Sequence, residues 1–73
     1  MKPGDIVLAK ITNILGYGAF AKVGEYDGLV HISEMSDSYV KSPSEVVSVG
    51  DIVKVKVIKI DQERKKVGLS MKI

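Results

Sequence analysis

The stretch "SPSEVVSVG" (residues 42–50) interrupts a chain that otherwise follows the two-residue period of β-strands. Ser42 is an N-cap candidate, Pro43 takes the first helical position and Glu45 follows the cap by three residues, a pattern that predicts a short capped helix. Gly50 is a residue type that ends helices. Three apolar residues of the stretch can close one end of a barrel: Val46, Val47 and Val49.

Five apolar runs surround this segment, three before it and two after it. They are residues 5–15, 18–23, 28–33, 51–60 and 67–72. The alternation slips at Ile14 in the first run and at Ile58 in the fourth, where Ile58 and Ile60 become the inward residues, and such slips indicate bulges in strands that bend. Three strands, a helix and two strands predict an all-β protein, a five-stranded antiparallel OB-fold barrel. The interposed helix argues against an open SH3-like barrel.

The second and third runs form a predicted hairpin around the polar loop "GEYD" (residues 24–27). If Val23 faces Gly28 across this loop, Phe20 lies opposite His31 and both side chains point away from the core. A slip of the register by two residues keeps each side chain on the same face of the hairpin, but Phe20 and His31 are then staggered. A slip by one residue buries His31 against alanines, which the alternation argues against.

The amino-acid composition excludes several classes of function. The 73 residues suffice for one domain, residues 1–73, and contain no cysteine and a single histidine, so disulfides, thiolate metal sites and histidine clusters are excluded. No nucleophile–base–acid set is evident, so a non-catalytic protein without cofactor or metal is expected. No run approaches the roughly 20 apolar residues that span a bilayer. We therefore expect a cytoplasmic protein with no membrane partner, monomeric as an isolated domain.

Charge is unevenly spread along the chain. Residues 1–50 carry a net charge of −2 and residues 51–73 a net charge of +4. The basic third is either a face that attracts phosphates or a lysine-rich surface that keeps the protein in solution.

Five segments in order resemble the S1-type RNA-binding domain: "GDIVLAKITNI", "GYGAFAKV", "DGLVHISEMS", "VGDIVKVKVIKID" and "VGLSMK". The resemblance implies an OB-fold barrel that binds single-stranded RNA, and we expect weak sequence preference because stacking tolerates any base. Such domains occur in ribosomal proteins and RNA-processing enzymes, so the ribosome or an RNA-processing complex is the wider partner it implies. Some domains of this family dock on other proteins, and a protein–protein adaptor is therefore the alternative function.

The resemblance implies that Tyr17, Phe20 and His31 contact RNA. Phe20 points outward because Ala19 and Ala21 share the core face, and an aromatic ring can stack on any base. Tyr17 lies in a loop, where it contacts RNA or instead covers one end of the barrel. His31 stacks on or hydrogen-bonds to a base, or is an ordinary exposed polar side chain. The other two aromatic residues are expected to pack in loops: Tyr26 and Tyr39.

Asp61 and the basic turn after it complete the implied site. Asp61 accepts a hydrogen bond from a base edge or a ribose 2′-OH, or instead organises its own turn. Counting forward from Asp61 selects Lys65 as the family's basic residue, whereas counting back from Leu69 selects Lys66. Together with Arg64 these lysines form a phosphate clamp or a solvated turn. Two strand residues are further candidate phosphate contacts: Lys10 and Lys22.

Overall fold

The computed structural model describes residues 1–36 and 39–72, in which five strands close into a barrel. The strands are β1 (Ile6–Leu15), β2 (Gly18–Val23), β3 (Tyr26–His31), β4 (Ile52–Asp61) and β5 (Lys66–Ser70). Around the ring they follow the order β1-β2-β3-β5-β4, and β3–β5 is the parallel pair among antiparallel ones. The predicted all-β OB-fold barrel is confirmed. Residues 37, 38 and 73 of the predicted domain lie outside the described residues.

The two ten-residue strands, β1 and β4, pair with each other and share one sequence of buried and exposed positions. The bulge that the apolar slip in β1 predicted is present, and it appears as a register shift between Ile11 and Asn13. In β4 the shift lies between Val57 and Lys59. The prediction that Ile58 points inward was wrong, because its side chain is exposed. The irregularity leaves two consecutive residues outward before Ile60 packs against the core.

The core is aliphatic and lies inside the ring. Its fully buried side chains come from all five strands and include Ile11, Ala19, Val30, Val55 and Leu69. Burying a side chain of the size of valine or leucine contributes about 1.5–3 kcal/mol each, so the strand alternation itself stabilises the closed sheet. Within the described ranges no helix has the length and apolarity needed to cross a membrane.

The segment between β3 and β4 contains two 3-10 turns, Ile32–Glu34 and Pro43–Glu45, rather than the longer helix predicted over residues 42–50. Ser42 takes the N-cap position without a side-chain hydrogen bond to the backbone, so the predicted capping box is absent. The closely spaced β-branched valines that follow disfavour helix continuation. Of the three valines expected to close the barrel, Val47 is buried, Val46 is half-buried and Val49 is exposed.

The β2–β3 hairpin is tighter than the predicted one. Val23 pairs with Tyr26 around a two-residue turn whose first residue, Gly24, has a φ of 58°. Phe20 therefore lies opposite Leu29, and the predicted Phe20–His31 pair was wrong by a slip of two residues. Tyr26 thus belongs to β3 and packs partly buried against the core, whereas Tyr39, also expected to pack, is 89% exposed.

Candidate nucleic-acid interface

Strand register places two rows of residues across the outer face of the barrel, one residue from each strand in the order of the ring. The charged row is Lys10, Lys22, Asp27, Lys66 and Asp61. The Phe20 row is Asn13, Phe20, Leu29, Gly68 and Lys59. Because strand residues two apart share a face, the rows are neighbours over most of their length. A strip that combines an aromatic ring with alternating charges therefore crosses the barrel.

An open pocket of about 260 Å³ lies where the two rows meet. Its lining includes Phe20, Lys66, Asp27 and Thr12, and its floor is completed by the strands at Ala21 and Gly28. Phe20 is 37% exposed, so it points outward as the alternation predicts. The Thr12 hydroxyl donates to the carbonyl oxygen of Phe20 at 3.3 Å and fastens the irregular part of β1 beside the ring.

Tyr17 and His31 lie at one end of this strip. Gly18 pairs with His31, and the amide of Ile32 donates to the carbonyl oxygen of Tyr17 at 2.8 Å, so the two predicted site residues are neighbours through the backbone. A Cβ on Gly18 would lie 2.4 Å from the carbonyl oxygen of Val30 and 3.1 Å from the Cα of His31. Only glycine lets β2 approach β3 this closely. The Tyr17 side chain is 51% exposed and available to a ligand.

The His31 ring also has a local structural role that the sequence did not indicate. It is the N-cap of the first 3-10 turn, where its Nδ1 accepts the backbone N–H of Ser33 at 3.2 Å and lies 2.9 Å from the Ser33 hydroxyl. Because a backbone N–H can only donate, Nδ1 is the acceptor and the neutral ring carries its proton on Nε2. The exposed His31 therefore offers an oriented ring with a hydrogen-bond donor at Nε2.

The Asp61 carboxylate is engaged within its own turn. The backbone N–H of Arg64 donates to Asp61 Oδ1 at 3.2 Å, and the Arg64 Nε lies 3.9 Å from Oδ2. This is the turn-organising role that was left open beside RNA contact. Arg64 remains largely exposed, so its guanidinium is held loosely beside the turn.

Lys65 and Lys66, which the sequence could not separate, occupy different environments. The Lys65 ammonium lies 3.0 Å from Glu25 Oε2, in the turn between β2 and β3. Lys66 instead follows at the start of β5, pairs with Asp27 on one side and Asp61 on the other, and lines the pocket beside Phe20. Of the two lysines, Lys66 is the one adjacent to the aromatic ring.

Residues that were not predicted for the site also lie in the strip. Asp27 and Lys59 enter it through strand register and Thr12 through the lining of the pocket. The Asp27 Oδ1 lies 3.7 Å from the Lys22 ammonium. The signal for Thr12 was the apolar slip in the first strand, which was interpreted only as a bend. Asp27 was assigned to the hairpin loop, so its place on a strand was missed.

The fold and the site together define the class of this protein: a closed OB-fold barrel with an aromatic and basic strip on its outer face. The chain belongs to the S1 RNA binding domain family, whose match covers residues 1–72, and this family binds RNA. The confirmed resemblance extends from the first strand through the last.

Proteins similar to this chain include larger ones. It is 46% identical over 74 residues to protein YhgF of Escherichia coli (strain K12), an alignment that covers 100% of this chain and 10% of that protein. It is 42% identical over 72 residues to small ribosomal subunit protein bS1 of Staphylococcus saprophyticus, covering 99% of this chain and 18% of that protein. The chain thus spans less than a fifth of these curated relatives.

Two solved structures share the fold closely. The solution structure of GSP13 from Bacillus subtilis superposes with a TM-score of 0.91 at 43% identity, over 97% of this chain and 55% of that one. A chain in the crystal structure of the a/eIF2alpha–aDim2p–rRNA complex from Pyrococcus horikoshii superposes with a TM-score of 0.90 at 31% identity, over 97% of this chain and 44% of that one. The described residues place no group of three or more metal-ligating side chains together.

Proposed function

We propose that this protein is a non-catalytic module that binds single-stranded RNA through the strip around Phe20. The observation that carries the proposal is the open pocket that Phe20 and Lys66 line together. An exposed ring and an adjacent cation are the two elements with which OB-folds hold single strands: the ring stacks on a base and the cation attracts the phosphate. The family membership of the chain supports the same ligand.

Stacking on Phe20, Tyr17 and His31 supplies most of the affinity in this proposal. Each stacked base contributes about 1–3 kcal/mol, so two or three bases and a few phosphates give a dissociation constant on the order of micromolar. Every base has a π-face, so sequence preference is weak along most of the strand. The Nε2 donor of His31 adds a hydrogen bond to a base or to the ribose–phosphate backbone.

The basic residues hold the backbone of the strand. Lys10, Lys22 and Lys66 occupy the charged row beside the aromatic ring, and Arg64 extends from the turn next to it. Lys65 contributes less because Glu25 offsets its charge. In this proposal Asp61 acts mainly by shaping the turn that positions these cations.

A titration with short RNA and DNA oligomers, followed by backbone amide chemical shifts, tests the proposal. We expect shifts confined to residues 16–22, 29–33 and 61–66, together with Lys10 of the charged row and Thr12 and Asp27 of the pocket. Larger shifts with RNA than with DNA of the same sequence would identify contacts to the 2′-OH. Shifts confined to the β1–β4 side of the barrel, or none at RNA concentrations well above micromolar, would contradict the proposal.

The cellular setting is proposed from the relatives. Protein bS1 belongs to the small ribosomal subunit by its name, and the Pyrococcus chain was solved in a complex with rRNA. We place the module in the cytoplasm, acting on the ribosome or in an RNA-processing complex, monomeric when isolated.

A second candidate function, docking on a protein partner, is favoured by the outer face of the β1–β4 pair. Leu8 and Ile52 are 64% and 66% exposed there, and each pairs across the strands with a lysine, Lys54 or Lys10. In the ring order β1-β2-β3-β5-β4 this seam lies opposite β3, so a partner there reaches the strip at Lys10 and leaves its centre, around Phe20 and Asp27, accessible. Exposed aliphatic side chains do not stack on bases, whereas they do pack against apolar residues of a protein.

The partner chemistry that fits this face is an acidic segment that alternates aliphatic residues with glutamates, because lysines and aliphatic side chains alternate across the seam. A synthetic peptide of that pattern is the probe. The variant Leu8→Ser/Ile52→Ser should lose peptide binding and keep RNA affinity. Equal peptide binding by the variant and the unmodified protein would contradict this second function.

A further inference from the structure

The pocket beside Phe20 has the size and polarity to hold one nucleobase. Its volume of about 260 Å³ is below the range of roughly 300–1,000 Å³ typical of pockets that enclose drug-sized ligands. Phe20 is the aromatic residue of its lining, and three lining residues have polar side chains: Thr12, Asp27 and Lys66. A base stacked on the ring therefore has its polar edge close to groups that can tell one base from another.

Asp27 is the unusual member of this set, because a carboxylate repels the phosphates of RNA. Among the described residues its side-chain polar contact is the Lys22 ammonium at 3.7 Å, which is longer than a hydrogen bond. An ionised carboxylate has about four acceptor positions on two oxygens. At Asp27 most of these positions are therefore open to a ligand, directly beside the stacking ring.

The lining combines one strong acceptor with donors. Asp27 accepts and the Lys66 ammonium donates, whereas the Thr12 hydroxyl can accept and can also donate once it gives up its 3.3 Å bond to the carbonyl oxygen of Phe20. Guanine is the RNA base with two adjacent donors on its Watson–Crick edge, the N1–H and the 2-amino group, followed on the same edge by the O6 acceptor. Adenine and cytosine present one amino donor on that edge, and uracil presents a single N–H between two carbonyl acceptors. In single-stranded RNA this edge is free to be recognised.

We propose that the base stacked on Phe20 is preferentially guanine, with its N1–H and 2-amino groups donating to the Asp27 carboxylate and its O6 accepting from Lys66. The inference rests on the proposed RNA-binding function. It adds that one position of the bound RNA strand is selected by the identity of its base. Neighbouring bases stack without discrimination, so the module has weak preference along the strand and a single guanine-selective position. Asp27 lies on β3, between the strand that carries Phe20 and the strand that carries Lys66.

Inosine tests the assignment because it is guanine without the 2-amino group. Three single-stranded heptanucleotides of uridine carry guanosine, inosine or adenosine at the central position, and fluorescence anisotropy gives the three dissociation constants. We expect the guanosine strand to bind about ten- to a hundredfold more tightly than the inosine strand, as one lost hydrogen bond to a charged acceptor implies. Asp27→Asn should bring this ratio close to one, and removal of the negative charge should leave binding of the all-uridine strand equal or tighter.

The matched control is Glu45→Gln, which removes one exposed negative charge in the second 3-10 turn and should keep the guanosine-to-inosine ratio of the unmodified protein. Equal affinity of the unmodified protein for the guanosine and inosine strands would overturn the inference and leave RNA binding intact. A ratio that survives Asp27→Asn would also overturn it. No binding of any strand would overturn the proposed function itself, and this inference with it.

Discussion

The Lys65 ammonium lies 3.0 Å from Glu25 Oε2, and this pair joins the turn before β5 to the turn between β2 and β3. A backbone hydrogen bond lies beside this pair, because the amide of Asp27 in β3 donates to the carbonyl oxygen of Lys65 at 2.9 Å. Both charged side chains are largely exposed, so the ion pair contributes no more than about 1 kcal/mol to stability. The main effect of the pair is electrostatic, because Glu25 offsets the positive charge of Lys65, whereas Lys66 lines the pocket.

Lys66→Ala should weaken RNA binding more than Lys65→Ala. Loss of a phosphate contact reduces the slope of log affinity against log salt by about 0.7 for single strands, and we expect this reduction for Lys66→Ala. Anisotropy titrations of one oligonucleotide over a series of salt concentrations measure both slopes. The double variant should resemble Lys66→Ala, and a larger loss in Lys65→Ala than in Lys66→Ala would show that the turn, rather than the strand, holds the phosphate.

Phe20→Ala should weaken binding of a short single-stranded RNA by about 1–3 kcal/mol, because one stacked base loses its platform. The fold should persist, since the side chain lies outside the core. Leu8→Ala is the control, as it shortens an exposed apolar side chain on the β1–β4 face. Unchanged RNA affinity in Phe20→Ala, with a normal circular dichroism spectrum, would refute the stacking role.

The two glycines around Tyr17 should respond differently to alanine. Gly18→Ala forces a Cβ to within 2.4 Å of the Val30 carbonyl oxygen, and overpacking of this kind costs about 1–3 kcal/mol. Gly16 has nothing within 4 Å of an added Cβ, so Gly16→Ala should leave the free energy of unfolding nearly unchanged or slightly raised. Urea denaturation compares the two. Equal midpoints would show that β2 and β3 can separate at Gly18 without cost.

Lys65 has a φ of 53°, a left-handed conformation that disfavours side chains with a Cβ. Lys65→Gly should therefore be more stable than Lys65→Ala by about 0.5–1 kcal/mol, after allowing for the greater freedom of glycine in the unfolded chain. Both variants lose the pair with Glu25, so the difference reports on the backbone alone. At Lys66, which lies in β5, the order should reverse, because glycine weakens a strand relative to alanine. Thermal unfolding of the four variants checks both signs.

The succession of five strands, most of their inward faces and the outward direction of Phe20 were predictable from the sequence because burial repeats every two residues. The same two-residue period left the hairpin register undetermined, because a slip of two residues keeps every side chain on its face. Alternation therefore cannot distinguish Leu29 from His31 as the partner of Phe20. The polar letters of "GEYD" suggested a four-residue loop. In the structure Tyr26 and Asp27 continue the strand instead, which moves Asp27 into the site.

The connecting segment shows a second limit of local patterns. Ser42, Pro43 and Glu45 resemble a helix start, but a start signal does not provide the residues that propagate a helix, and the valines that follow favour extended backbone. The choice between Lys65 and Lys66 also required three dimensions. It depends on Glu25, a residue 40 positions away in sequence, which no count from Asp61 or Leu69 could reveal.

The parallel pairing of β3 with β5 has a consequence for the order of events during synthesis. Phe20, Asp27 and Thr12 belong to the first three strands, whereas Lys66 belongs to the fifth, so the pocket does not exist until β5 has been translated and has inserted between β3 and β4. Closing a sheet through such distant contacts is slow compared with forming the first hairpin. A nascent chain that displays β1–β3 alone would therefore carry the aromatic ring without its cation, and the phosphate contact of Lys66 would form only as the ring of strands closes.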